Sequence, residues 1–413
     1  MGATVSSSLG NQKIDESALV FTGTINACPL FTIKSCVCRN VVFKETTIIQ
    51  YTKDSDMNFP DKLRTSTTLK AIVNTEFSYE RLVEQTLRVK HLSHPSVIRV
   101  SSNAFSPNLS ALFLVSEPSL ALQDLLKTVT KDEFLAGLQS VLQAMDFLHS
   151  RASVSHNNID IPSLFVDSRK KWKLGLFEYS CNFQELSQNR LEVLEALKGR
   201  TEDVKATKIS ESAFHAYDIY CFSRMVHEQL QNLNFDISDL QTVLERSGSH
   251  ASPRQRPSAA QLLNHSAFKG PYSYLLSFLS DYVLKSDNER FHFFGKFPTL
   301  ARQIPEELLC SSIIPLILVP SVFTDFPTKS VIQHLLTPYK EETSIGLVSE
   351  DAFRRLIVPH ISRLFRHHEL TTRLLLLQHF HAYARLMGRS TLEGIVLPEV
   401  WYCKCLSNMW FYL

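Results

Sequence analysis

Short apolar runs at 18–21, 30–33, 41–43 and 48–51 are separated by polar residues. Runs of this length, bounded by turn residues, predict a small antiparallel sheet. Residues 54–68 are polar and predict a loop. From Tyr79 to His91, Leu82, Leu87 and Val89 give a weakly amphipathic helix that stops near His94 and Pro95. Val97 with Ile98, and residues 111–115, predict further strands. The clearest helix follows. Thr130 and Glu133 form a capping box. Phe134, Leu138, Val141, Met145 and Leu148 then recur at three- and four-residue spacing, the pattern of a core helix.

After this helix, "VSHNNIDIPSLFVDSRKKWKLGLFEY" (154–179) reads as a loop, a short strand, a basic turn opened by Asp167 and closed at Lys171, and a second short strand. A polar segment, 182–212, precedes a helix over 216–230, and "SPRQRPSAAQLLNHSAF" (252–268) leads into a helix at 258–263. Beyond 270 helical apolar runs follow one another and a phrase recurs: "IIPLIL" (313–318), "IVPHISRLF" (357–365) and "IVLPEVW" (395–401). Its prolines are 44 and 39 residues apart, close to the period of HEAT-type helical pairs. Such units bury their apolar faces only by stacking. The ending "CKCLSNMWFYL" places Trp410, Phe411, Tyr412 and Leu413 where a capping repeat is expected, so the array reads as cut short. His367, His368 and the Arg-rich stretch 354–373 read as a solvated repeat face.

Composition adds exclusions. The 413 residues suit two or three domains, and 44% apolar residues is ordinary for a globular chain. A net charge of +2 gives no global field for nucleic acid. Two C-x-C pairs, Cys36/Cys38 and Cys403/Cys405, lack a second pair or His cluster at zinc-site spacing, so a reduced, intracellular protein without metal is expected. No uncharged apolar run reaches the ~18 residues that cross a bilayer. The opening MGATVS has no apolar leader core, and Gly2 with Ser6 fits the N-myristoylation pattern. One such chain binds a bilayer marginally and reversibly, so membrane residence would need a partner.

The order of small sheet, helix, capped helix, short hairpin and helix resembles a bilobal protein-kinase domain. "HPSVIRV" (94–100) resembles the segment after the kinase αC helix, and "LFLVSEPSLALQDLL" (112–126) the hinge. "HNNIDIPS" (156–163) lies on the catalytic loop H-R-D-x-x-x-x-N, and "KLGLFE" (173–178) on D-F-G. "HAYDIYCFSRMVHEQL" (215–230) resembles the αF helix with Asp218 as its anchoring carboxylate, and "RPSAAQLLNHSAF" (256–268), opened by Arg256, the close of the fold. On this alignment the catalytic base is Asn158, the metal ligands are Ser163 and Leu176, and the αC glutamate is Gln85 beside Glu84. The phosphate-pairing lysine is Gln50 if "TIIQ" is strand β3, the preferred reading, or Lys44 if "VVFK" is. Residues 18–44 contain one glycine, Gly23, where a phosphate-covering loop needs several. An amide cannot act as a base, and phosphoryl transfer depends on metal held between the phosphates. ATP binding is therefore not expected. Asp160 is the remaining candidate for residual atypical serine/threonine kinase activity, with Lys44; Asp167 reads as a turn former.

A kinase-like domain without catalytic residues, followed by helical repeats, resembles the SCY-like pseudokinase family. The H-N-N in place of H-R-D, "WKLG", and "FLSDYVLKSDNERFHFF" (278–294) followed by "IPEELLCSSIIPLIL" place it nearest the myristoylated, ezrin-associating branch. The resemblance implies an α+β bilobal kinase-like domain at 18–270 after a flexible segment, 1–17, then an all-α HEAT-type array at 271–401 and a short tail, 402–413. It further implies a catalytically inactive scaffold, without cofactor except myristate on Gly2, in membrane trafficking and in cell adhesion and migration. Ezrin-like or vesicle-coat proteins would be its partners, and the cytoplasm, Golgi and actin-rich cell edge its locations.

Overall fold

A computed structural model describes residues 19–28, 31–38, 47–53, 67–105, 111–167, 169–199, 207–233, 235–339, 345–367 and 369–399. The chain divides into two compact units, Met1–Phe268 and Lys269–Leu413.

The first unit begins with an antiparallel sheet of strands β1 (Leu19–Cys28), β2 (Phe31–Cys38), β3 (Thr47–Lys53), β4 (Val100–Phe105) and β5 (Ala111–Ser116), in spatial order β1-β2-β3-β5-β4. Its first two runs are longer than the sequence pattern predicts, and the run at 41–43 lies outside the described residues. The β3–β5 register sets Gln50 opposite Phe113. Every residue of β5 is buried, as expected of a strand paired on both edges.

Helix α1 (Thr67–Glu76) was not apparent from periodicity. Helix α2 (Tyr79–Leu87), capped by Ser78, then narrows into a 3-10 turn at Arg88–His91. The predicted strand at Val97 and Ile98 is instead a single parallel bridge from Val97 to Leu174, and the true strand, β4, starts at Val100.

The helical part is organised by α3 (Lys131–Phe147), which carries the expected capping box: Glu133 N–H donates to Thr130 Oγ1, and Thr130 N–H to the Glu133 carboxylate. Phe134, Leu138, Val141 and Met145 are all buried. Short strands β6 (Ser119–Ala121), β7 (Val154–Ser155), β8 (Leu164–Asp167), β9 (Trp172–Leu174) and β10 (Cys181–Asn182) build two small sheets, β6-β8-β9 and β10-β7. The turn after β8 forms as expected, with Asp167 accepting from the Arg169 and Lys171 N–H groups at 2.8 and 3.0 Å.

Within the stretch expected to be merely polar lies helix α4 (Gln188–Leu197), capped by Ser187 and burying Leu191, Val193, Leu194 and Leu197. Its apolar residues are interleaved with Arg and Glu, two of which, Arg190 and Glu195, are themselves buried. Helix α5 (Ala216–Leu230) matches the predicted span, and Ser258 caps the short helix Ala259–Leu263.

In the second unit every described element of regular structure is helical, the longer ones being α6 (Pro271–Ser280), α7 (Asp287–Ala301), α8 (Lys329–Leu336), α9 (Val358–Phe365) and α10 (Leu370–Gln378). Phe278 and Phe293 stack face to face at 4.0 Å between α6 and α7. The recurring proline phrase has a recurring backbone. Each copy begins with one short helical turn, widens over five residues (Leu309–Ile313, Phe353–Ile357, Leu392–Val396), and re-enters α-helix with proline just inside. Proline lacks the N–H for the i→i−4 bond, and a widened turn accommodates that loss.

The packing of α3 on β9 yields a test. A Cβ on Gly137 would lie 2.1 Å from the buried Trp172 ring. Gly137→Ala, favourable for an isolated helix, should instead destabilise the first unit by about 1–3 kcal/mol, read from its urea midpoint.

Candidate functional site

The loop after α3 is held from below by one carboxylate. Asp218, in the first turn of α5 and fully buried, accepts from His149 Nε2 (2.9 Å), Ser155 Oγ (3.2 Å), His156 N–H (2.8 Å) and Asn157 N–H (2.7 Å). Burial alone would raise its pKa, but the bond and charge of His149, with the donors from His156, hold it below the usual carboxylate value. Asp218 therefore stays ionised. Arg256 braces the same helix from outside the loop: its guanidinium donates to His250 O (2.8 Å) and Ala216 O (3.0 Å) and lies 4.6 Å above the Tyr220 ring.

Above Asp218, His156 links the loop to the segment after β9. Nε2 donates to Gly175 O (2.8 Å), Nδ1 accepts the Asn158 N–H (3.2 Å), and the ring packs edge-on against Phe177. Burial lowers its pKa to about 4, so it is neutral at pH 7 and both nitrogens have defined roles. Three of the four described non-glycine residues at positive φ lie here: Ser153 (53°), Asn157 (62°) and Leu176 (55°). Asn tolerates this region; Leu pays roughly 1–2 kcal/mol for it. Its flanks explain the persistence, because Gly175 N–H donates to Ser163 O at 2.8 Å while its own carbonyl binds His156.

Of the residues aligned with catalytic positions, Asn158 and Gln85 meet at one further residue, Glu178. Asn158 Nδ2 donates to Glu178 Oε1 at 2.9 Å, and Tyr51 OH, from β3, to Glu178 Oε2 at 3.5 Å. Gln85, oriented to satisfy both neighbours, donates to Glu178 O (2.6 Å) and accepts from Arg190 Nη2 (3.2 Å). Glu178 is fully buried, and burial pushes its pKa up to about 7 against the pull of its own N–H, Lys198, Tyr51 and Asn158. Glu84, beside Gln85, points outward to Arg81 and Arg88. Gln50 is buried with its Oε1 unpartnered among the described residues. Ser163 Oγ is used locally, donating to Asp160 O (2.7 Å) and accepting from Asp160 N–H (3.2 Å). Leu176 is buried. The Asp160 carboxylate caps its own turn by accepting from Ile161 N–H at 2.8 Å. Lys44 and Gly2 lie outside the described residues.

No protein-family model matches the sequence. The mouse protein-associating with the carboxyl-terminal domain of ezrin is 29% identical over 327 residues, covering 76% of this chain and 44% of that protein. The probable inactive serine/threonine-protein kinase scy1 of Dictyostelium discoideum is 21% identical over 334 residues, covering 76% of this chain and 39% of its own. The chain is thus similar to SCY-like pseudokinases over about three quarters of its length. It spans less than half the length of either of these two relatives.

Set against a kinase, the aligned positions acquire chemical meaning. A kinase grips divalent metal with a D-F-G aspartate and a catalytic-loop asparagine, and accepts the substrate proton on a catalytic-loop aspartate. Here those positions hold the alkyl chain of Leu176, the locally engaged Ser163 and the amide Asn158. The residue that sequence reasoning missed is Glu178. It stands two places past Leu176, and only its burial against β3 distinguishes it from a surface acid.

Asp218 is the anchor of this arrangement. Asp218→Asn sets an amide N–H₂ against a ring of donors and should cost about 3 kcal/mol in urea unfolding, with loss of order at 153–158 by hydrogen exchange. An unchanged midpoint would show that the loop holds its shape without the charge.

Proposed function

We propose that this chain is a catalytically inactive kinase-like scaffold that works by binding other proteins. The observation that carries the proposal is the replacement of both metal ligands and the base by Leu176, Ser163 and Asn158, with Asn158 already bonded to Glu178. General-base catalysis alone is worth about 10²–10⁴ in rate, and losing metal neutralisation removes the larger electrostatic contribution. The Asp160 carboxylate, engaged in capping its own turn, lends no support to an atypical kinase.

The finer parts of the proposal rest on sequence and relationship. Residues 271–401 are read as HEAT-type repeats, a reading supported by the repeated backbone of the three proline phrases. Gly2 is the proposed myristoylation site. Its single acyl chain would give reversible contact with Golgi or other intracellular membranes, completed by a protein partner. By relationship to a protein named for associating with ezrin, the partner class is ezrin-like or vesicle-coat proteins, with roles in trafficking and in adhesion and migration at the actin-rich cell edge.

Two measurements test this. Purified chain with Mg²⁺ or Mn²⁺ and labelled ATP should transfer no phosphate, and millimolar ATP should leave its melting temperature unmoved; autophosphorylation abolished by Asp160→Ala would overturn the scaffold reading. Gly2→Ala should move the protein from the membrane to the soluble fraction of cells, and an unchanged distribution would remove the lipid tether.

A further inference from the structure

The segment between Leu176 and Lys198 runs across the first unit and is fastened on two sides. Towards the helical part, Asn158 binds the Glu178 carboxyl, Asn157 Nδ2 donates to Tyr179 O (3.0 Å), and Lys198 Nζ donates to Asn157 O (2.7 Å). Towards the sheet and its helices, the ties are ionic and aromatic. Arg190 Nη1 donates to Glu76 Oε2 of α1 at 2.8 Å, with the guanidinium 4.8 Å above the Phe77 ring. Glu185 accepts from Arg81 (3.1 Å) and Arg88 (3.5 Å). Gln85 of α2 donates to Glu178 O, and Tyr51 of β3 reaches the Glu178 carboxyl. Of the acidic side chains in these ties, Glu178 alone is fully buried and, among the described residues, has no ion-pair partner within bonding distance.

We propose that residues 176–198 form a proton-sensitive clasp, closed over α1, α2 and β3 while Glu178 is protonated and loosened when Glu178 ionises. The inference concerns conformation and does not depend on the proposed scaffold function. Among the described residues, the groups facing Glu178 are Tyr51 from β3, Gln85 from α2, Asn158 from the loop, and Lys198 beyond α4. Gln85 and Asn158 are uncharged, and Tyr51 is held protonated because burial and Glu178 itself raise its pKa well above the usual value. Lys198 is the cation that favours the ionised carboxylate, and it does not offset burial. Glu185, by contrast, is held below the usual carboxylate value by the Asn182 N–H and the charges of Arg88 and Arg81, despite partial burial, so its ties stay charged throughout.

The sign is fixed by the direction of the shift. The folded value of about 7 lies above the ordinary 4.5, so the closed clasp is fully favoured below pH 4.5 and loses stability as pH rises to about 7. Above that both states are ionised and the loss levels off. Between pH 6 and 8 the opening equilibrium should rise by about tenfold.

Hydrogen exchange of the full chain at pH 6 and 8, corrected for intrinsic chemical rates, reads this opening in peptides covering α1, α2 and 176–190. The wild type should show the tenfold rise there and not in α3 or α5. Glu178→Gln, which keeps the shape and cannot ionise, should abolish the rise. Tyr51→Phe, which removes a donor to the carboxylate, should keep the rise and move its midpoint to higher pH. Arg190→Gln should raise exchange at both pH values without changing their ratio. Equal pH profiles for the wild type and Glu178→Gln, or a rise shared by α3 and α5, would overturn the proposal. Should Glu178→Gln not fold, an unshifted midpoint in Tyr51→Phe would do so.

Discussion

A carboxylate that is fully buried must be surrounded by donors, and Asp218 draws its donors from the segment that carries His149, Ser155, His156 and Asn157. Leaving such a charge unpaired costs several kcal/mol, so the loop cannot drift without exposing α5 to that penalty. The loop's shape is thus set from the core side, by a residue that takes no part in phosphate chemistry. This separates two things that a working kinase keeps together: the backbone that presents catalytic groups, and the groups themselves. The first survives here with substitutions in the second, because the energy holding the loop comes from beneath it.

What stands on the presenting side then follows from local chemistry. A metal-bound carboxylate at the Leu176 position would draw on solvent, cation and phosphate for its charge balance; leucine needs only an apolar environment and finds one. The backbone nevertheless stays at φ 55°, because the bonds of Gly175 to Ser163 and His156 are made on either side of it. The strained backbone at this position is geometry imposed by its neighbours. Asn158 likewise keeps a hydrogen-bonding role but changes its direction, turning to Glu178.

Much of this was legible in the sequence, because loops that carry function have fixed internal spacing. "HNNIDIPS" and "KLGLFE" could be placed residue by residue, and α3 and α5 were readable from apolar stripes and a capping box. The failures share a physical character. Helix α4 was hidden because Arg190 and Glu195 interrupt its apolar pattern, yet both are buried through partners distant in sequence: Arg190 with Glu76, 114 positions away, and Glu195 with Tyr217 and Arg224. Glu178 was hidden for the same reason, since its environment comes from Tyr51, 127 positions earlier. Periodicity reports which face of an element is apolar. It does not report which charged residues will find a buried partner.

In the second unit the balance is reversed. The proline phrases were visible as a recurring spelling, and recurrence in sequence becomes recurrence in backbone when the same residue imposes the same constraint. Pro315 and Pro359 each deny the helix one N–H, and each time the preceding turn widens before the helix resumes. The apolar residues around them, Ile313, Ile314 and Ile317 in one copy and Ile357, Val358 and Ile361 in the next, are buried at matching places. A widened turn rotates the residues beyond it relative to those before it, so keeping both sets buried requires that turn to recur at the same point. The prolines therefore act as registration marks: they fix where each helix turns its apolar face, whatever the surface residues between them become.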